Sequence, residues 1–221
     1  NTEAGAIIVG KRDGSRSLAY GILAQSLSPR QEDGRKGWSG GNIVVKNDGI
    51  LAVSAQMGAG ILAQSVGGFG GAGNSATGLF SATAENGGYG GDGGDVSVSL
   101  GQDAFTAVVG NFAIGVLGQS IGGDGGHGGD AKSTGLFFAN AVGGSGGIGG
   151  DGGEVTFQSD GKRFLTSGNH AHGVVLQSIG GGGGSTNVTT TGDRDLLKSD
   201  DLKGFIAVGG HLDSWDMGEG A

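Results

Sequence analysis

Carboxylates, imidazoles and hydroxyls are where chemistry would begin in this chain. Asp92, Asp95, Asp130, Asp151 and Glu154 each close a run of glycine. Stacked carboxylates can hold a cation, and paired ones can do the acid–base work of a polysaccharide-degrading site. The same residues serve as turn and solvation chemistry at strand entries, and their position favours that reading. Gly90 to Val98 follows the calcium nonapeptide through Asp95, but Ser97 stands where an apolar residue belongs and no tandem copies follow. His170 and His172 lie two apart on one side of a predicted strand and could begin a metal site, but nothing nearby supplies a third ligand. Gly180 to Gly184 lacks the Gly-Lys-Ser/Thr of a phosphate loop. Ser178 lacks the glycine-flanked elbow of a serine nucleophile, and there is no cysteine. The expectation is a protein with no catalytic residue, no metal and no cofactor.

Composition narrows the class. Glycine supplies 56 of 221 residues and proline one, against a usual glycine share of roughly 7%. Collagen needs glycine at every third position and abundant proline; here Gly-Gly-X triplets come in short bursts. A disordered linker would lack the recurring Val, Ile, Leu and Phe. The net charge of −8 excludes a phosphate-binding surface for nucleic acid. No apolar run approaches the roughly 18 residues of a membrane-spanning helix, so no direct membrane span is expected. The chain begins at Asn1 with neither Met nor a signal peptide and reads as a piece of something longer.

Internal repeats organise the rest. Gly21-Ile-Leu-Ala-Gln-Ser-Leu27, Gly60-Ile-Leu-Ala-Gln-Ser-Val66, Gly115-Val-Leu-Gly-Gln-Ser-Ile121 and Gly173-Val-Val-Leu-Gln-Ser-Ile179 align, with starts 39, 55 and 58 residues apart. Between them recur Gly40-Gly-Asn-Ile-Val-Val, Gly93-Gly-Asp-Val-Ser-Val and Gly152-Gly-Glu-Val-Thr-Phe, and Thr77-Gly-Leu-Phe-Ser-Ala matches Thr134-Gly-Leu-Phe-Phe-Ala. Each apolar run is short, β-prone and bounded by Gly, Asn or Asp, which is strand punctuation. The one helical candidate is Asp193 to Lys203.

Similar strands at such spacing predict an all-β, right-handed parallel β-helix (solenoid) spanning 1–221, with repeat units at about 18–58, 59–113, 114–171 and 172–221. In register, Gln25, Gln64, Gln119 and Gln177 form one ladder, and Ser26, Ser65, Ser120 and Ser178 another. Ile61, Ala63 and Ser65 share one strand face and Leu62, Gln64 and Val66 the other; both are partly apolar, so periodicity leaves the inward face open. The glycine bursts have a period of three. They read as protruding arms, either polyglycine helices of the polyproline II shape or flexible loops. Phe69, Tyr89, Phe80, Phe137 and Phe138 either staple these arms or present an aromatic contact surface.

Gly-Ile-Leu-Ala-Gln-Ser-Val-Gly-Gly with its following glycine burst, and the returning Gly-Gly-Asp-Val-Ser-Val, resemble the Gly-rich repeats in passenger regions of Gram-negative autotransporter surface proteins. The resemblance covers about residues 18–181. It implies a secreted β-helical passenger on, or shed from, the outer cell surface, with adhesin activity. The family's translocating barrel has no counterpart here, and the tail from Asp193 matches no repeat except Phe205-Ile-Ala-Val-Gly-Gly. The expected function is therefore an extracellular structural or adhesive stalk or fibre making multivalent contacts. Its partners would be a host, cell-surface or glycan receptor, and other copies of itself joined end to end through unpaired terminal strands. An ice-binding protein is the alternative, with a β-helix carbohydrate-active enzyme behind it.

Overall fold

A computed structural model describes residues 5–10, 18–134, 139–160 and 163–185, and the backbone of 205–208. In chain order the strands are β1 (Ala6–Gly10), β2 (Leu18–Leu27), β3 (Ile43–Asn47), β4 (Ile50–Ser54), β5 (Met57–Val66), β6 (Ala76–Gly78), β7 (Ser81–Thr83) and β8 (Val96–Leu100). They continue with β9 (Phe105–Val109), β10 (Ile114–Ile121), β11 (Ala131–Ser133), β12 (Ala139–Val142), β13 (Val155–Ser159), β14 (Arg163–Ser167), β15 (His172–Ile179) and β16 (Phe205–Val208). No helix occurs among the described residues, and the strand pairs are parallel. The helical candidate at Asp193 to Lys203 lies outside the described residues, as do Phe137 and Phe138.

Three main sheets are each visited once per repeat. The first runs β1-β4-β9-β14, the second β2-β5-β10-β15 and the third β3-β8-β13. The chain passes from the first sheet to the second through a short turn, from the second to the third through a glycine-rich segment, and from the third back to the first. Two smaller sheets, β6-β11 and β7-β12-β16, form at the far ends of the glycine-rich segments.

Alternation explains the strands. In Val96-Ser-Val-Ser-Leu100 the apolar residues are buried and the serines half-buried, the period of a strand with one face inward. The inward face of the second sheet is Ile61, Ala63 and Ser65, each wholly buried. Ile61 and Ala63 meet Leu51, Val53 and Val108 of the first sheet and Val96 and Val98 of the third in one core. The glycine opening each Gln-Ser segment is also explained. A Cβ on Gly60 would lie 2.5 Å from the Gly115 carbonyl oxygen and 2.8 Å from the Val108 side chain.

The Thr106 hydroxyl is a poorly matched group in that core. Thr106 is wholly buried and its hydroxyl has no hydrogen-bond partner. An unpaired buried hydroxyl costs about 1–3 kcal/mol. Thr106→Val, which keeps the shape, is expected to raise the unfolding free energy by about 1 kcal/mol in denaturant titration.

Two expectations need correction. Thr134 does not face Thr77; Lys132 does, in the β6–β11 pair, and Ser81 faces Asn140 rather than Phe138. The glycine triplets on each side set these registers, and the second tip carries extra residues between them. His170 and His172 do not share a strand face. His170 sits in the turn before β15 with φ +56° and stacks on Phe112, whose φ is +58°, at 5.1 Å between ring centroids. Left-handed backbone at His170 breaks the alternation on which the pairing depended. The tail at Phe205 is the third strand of a distal sheet, in register with β12.

Candidate functional site: stacked glycine triplets and the residues they present

The Gln-Ser segments stack in register. Gln25, Gln64, Gln119 and Gln177 lie opposite one another, as do Ser26, Ser65, Ser120 and Ser178. The glutamines face outward. The Gln25 amide donates to Oε1 of Gln64 at 2.8 Å, Gln64 to Gln119 at 3.0 Å, and Gln119 to Gln177. Each amide uses one N–H and its oxygen along the stack, so the row repeats without a break. Gln64→Ala removes two of these bonds at a half-buried position and is expected to cost about 1 kcal/mol by thermal or denaturant melting.

The serines bond differently from a side-chain ladder. Ser65 Oγ accepts the Gly94 N–H at 2.9 Å and donates to the Gly41 carbonyl at 3.0 Å. Ser120 Oγ accepts from Gly153 at 2.7 Å and donates to Gly94 at 2.8 Å. Ser26 Oγ accepts from Gly41 at 2.8 Å. Ser65 lies where the chain leaves the second sheet and Gly94 where it returns to the third. Each hydroxyl thus closes the base of a glycine-rich excursion and ties it to the preceding repeat.

Beyond this neck, glycine amides bond in two directions. Within each Gly-Gly-X triplet the first glycine donates to the X carbonyl of the next repeat. Gly70 donates to Asp124, Gly73 to His127 and Gly90 to Ile148, at 2.7–2.8 Å. The second glycine donates to a segment running the opposite way. Gly181 donates to Gly150, Gly150 to Gly123, Gly123 to Gly91, Gly91 to Gly68 and Gly68 to Trp38, each at 2.8 Å. A parallel chain of bonds links Gly184, Gly147, Gly126, Gly88, Gly71 and Arg35 at 2.7–2.9 Å. Side chains have no room at these positions: a Cβ on Gly126 would fall inside the carbonyl oxygen of Gly71.

The X residue is left pointing away from its neighbours. Its own N–H is often capped by the X side chain one repeat earlier. Asp92 Oδ1 accepts from Asp151, Asp95 Oδ1 from Glu154, Asn86 Oδ1 from Ser145 and Asp124 Oδ1 from Gly182, at 2.7–3.1 Å. His127 Nδ1 accepts from the Ser185 amide at 3.2 Å. Asp92 and Asp95 therefore cap backbone across repeats, a finer role than turn solvation. Asp130 uses its backbone N–H toward Ser75 Oγ at 3.1 Å. Lys36 reaches Asp92 at 3.6 Å, an exposed pair that adds little stability. Among the described residues no three His, Asp or Glu side chains converge on one point.

Aromatic X residues stand in solvent: Phe69 and Tyr89 are exposed. Phe69 joins Arg30, Asp124 and His127 around a shallow cavity of about 550 Å³ floored by glycine. Phe80 is exposed at the tip.

Sequence reasoning missed Trp38, which is 65% exposed. It lies in a segment without a glycine burst, Ser28 to Asn42, yet that segment joins the same bond network. Gln31 and Gly34 donate to Phe69 and Ala72, and Gly37 and Gly40 to Tyr89 and Asp92. By this register Pro29, Glu32, Arg35 and Trp38 occupy second-glycine positions. The matching glycines of the later repeats face the preceding repeat at closest approach; Ser28 to Asn42 carries side chains at these four positions instead.

The fold and surface together define an all-β repeat protein of parallel sheets with a hydrogen-bonded glycine layer. No protein-family model, curated protein or solved structure matches the chain.

Proposed function

We propose that this chain is a right-handed β-solenoid with polyglycine II arms, working as a stiff structural or adhesive element on a bacterial surface. Right-handedness follows from the strong preference of parallel strand crossovers. The polyglycine II reading is supported by the triplet register of the glycine bonds, since that helix has three residues per turn. An autotransporter-like passenger remains the context that the Gln-Ser-Ile-Gly-Gly repeats suggest, with an extracellular or outer-surface location.

The observation that carries the functional reading is the division of labour within each triplet. Both glycines are spent on backbone bonds, and the X residue alone faces outward, in rows fixed by the repeat register. A rigid scaffold that repeats a shallow surface suits many weak contacts, where avidity replaces one deep site. Phe69 and Tyr89 are the strongest single contacts such a surface offers.

Beads carrying many copies should adhere to glycan-coated or cell surfaces about 100-fold more strongly than the free chain. Phe69→Ala with Tyr89→Ala should lower that adhesion at least about tenfold without changing the melting curve. Equal adhesion by the double variant, or none by the parent on any such surface, would count against an adhesive role.

A further inference from the structure

Each repeat sends one glycine-rich segment out from the second sheet and one back to the third. Two kinds of bond join them. The first glycines of a returning segment donate to the returning segment of the next repeat, as Gly87 does to Ser145 and Gly90 to Ile148. The second-glycine carbonyls of an outgoing segment accept from the returning segment of the same repeat, as Gly123 does from Gly150 and Gly126 from Gly147. Both kinds stop at the last repeat. Among the described residues, the amides of Gly146 and Gly149 and the carbonyls of Gly181 and Gly184 have no partner. These groups adjoin one another. A Cβ on Gly149 would fall against the Gly181 carbonyl oxygen, and one on Gly146 against that of Gly184. Two donors three residues apart and two acceptors three residues apart thus border one open lane. Unpaired backbone along an edge is a template for an added chain.

We infer that this lane binds a Gly-Gly-X segment of another protein, laid parallel to residues 143–153 and held by main-chain bonds. The spacing requires a chain that presents the same backbone group every third residue, which a three-residue helix does and a strand of period two does not. Steric fit requires glycine. In the filled lane, a Cβ on Gly147 or Gly150 would fall inside the carbonyl oxygen of Gly88 or Gly91. An occupant meets Gly147 and Gly150 in the same way, so its second position must be glycine. The chain's own continuation fails that requirement. β16 sets Val208 opposite Val142. Counting on, Gly210 falls opposite Gly144, but Asp213 and Asp216 fall opposite Gly147 and Gly150. A second folded copy is no better suited, because its triplets are already bonded within its own layer.

The vacancy belongs to the last repeat. At the opposite edge of the layer, Pro29, Glu32, Arg35 and Trp38 carry side chains where later repeats have glycine. Few bonds hold the occupant, and ordering glycine costs more backbone freedom than ordering any other residue. The expected dissociation constant is therefore about 0.1–1 mM for a short segment. This binding rests on the bond register of the layer and is independent of the adhesive role.

The test is residue-resolved amide exchange of the full chain, with and without about 5 mM of a synthetic peptide of about four Gly-Gly-Ser triplets. In the free chain, Gly147 and Gly150 should be protected while Gly146 and Gly149 exchange fast. The peptide should slow Gly146 and Gly149 about fivefold or more. A Gly-Ala-Ser peptide of equal length should not. Gly183→Ala supplies a block on the protein side. Gly183 is exposed and is the counterpart of Gly125, each four residues past its aligned isoleucine. A Cβ on Gly125 would fall against the Gly147 carbonyl oxygen, in the lane one repeat earlier. Gly183→Ala should therefore weaken peptide binding at least about tenfold, and Gly182→Ala should leave it within about twofold. Circular dichroism verifies that each variant is folded. No slowing by the Gly-Gly-Ser peptide overturns the inference, as does equal slowing by Gly-Ala-Ser or indifference to Gly183→Ala. Protection of Gly146 and Gly149 in the free chain overturns it too, since the lane would already be filled. Fast exchange at Gly147 and Gly150 would remove the layer itself and the lane with it.

Discussion

Gly126→Ala is expected to destabilise the protein by at least about 3 kcal/mol, while Gly182→Ala is tolerated. The two substitutions add the same methyl group within the same layer. At Gly126 the new Cβ would fall inside the carbonyl oxygen of Gly71. Relief requires moving one backbone away from the other. That breaks the bond from Gly126 to Gly88 and the bond from Gly147 to Gly126, both 2.8 Å. Gly182 occupies an X position, where the nearest atom to a new Cβ is Asp124 Oδ1 at 3.4 Å. Alanine there restricts the unfolded chain and should add about 0.4–1 kcal/mol. Denaturant titrations of both variants separate the cases. Flexible loops would accept either alanine with little change.

Ser120→Ala is the second large effect, at about 2–4 kcal/mol. The hydroxyl is wholly buried and makes two bonds, at 2.7 Å and 2.8 Å, to Gly153 and Gly94. Removing it leaves the buried Gly94 carbonyl and the half-buried Gly153 N–H without their partner. Ser26→Ala at the edge repeat loses one bond at a half-buried position, with an expected cost of about 1 kcal/mol or less. A ratio near one between these two costs would mean that the serines do not close the neck.

Legibility in the sequence followed the chemistry that each residue reports. The Gln-Ser segments share length, flanking glycine and apolar spacing, so their register was readable. So was that of Ile43, Val96 and Val155, which pair as the Gly-Gly-X-apolar repeats suggest. The inward face of the second sheet was not readable, because Leu62 and Ile61 are equally apolar. Burial alone separates the roles of Ser65 and Gln64. The triplet period of the glycine bursts was visible, but glycine carries no side chain to name its partner. Whether Gly91 bonds to Gly68 or to water depends on two segments meeting in space. His170 was misplaced because a left-handed turn at a histidine has no sequence signature. Thr77 and Thr134 misled because residues were inserted at one tip, while the glycine triplets held the register on both sides. Trp38 escaped because its segment keeps the bond register without keeping the glycines.

The central claim is that the glycine-rich segments are ordered by backbone hydrogen bonds between repeats. Amide hydrogen exchange, resolved by residue across Gly67 to Gly73 and Gly122 to Gly129, tests it most directly. The bond network predicts that both glycines of each triplet are protected about a thousandfold or more, as the strand amides of β5 and β10 are. The amides of Asp124 and His127, whose preceding X residues Phe69 and Ala72 offer no side-chain acceptor, should exchange much faster, giving a period of three. Exchange at the unprotected rate throughout both bursts, with β5 and β10 still protected, would contradict the account.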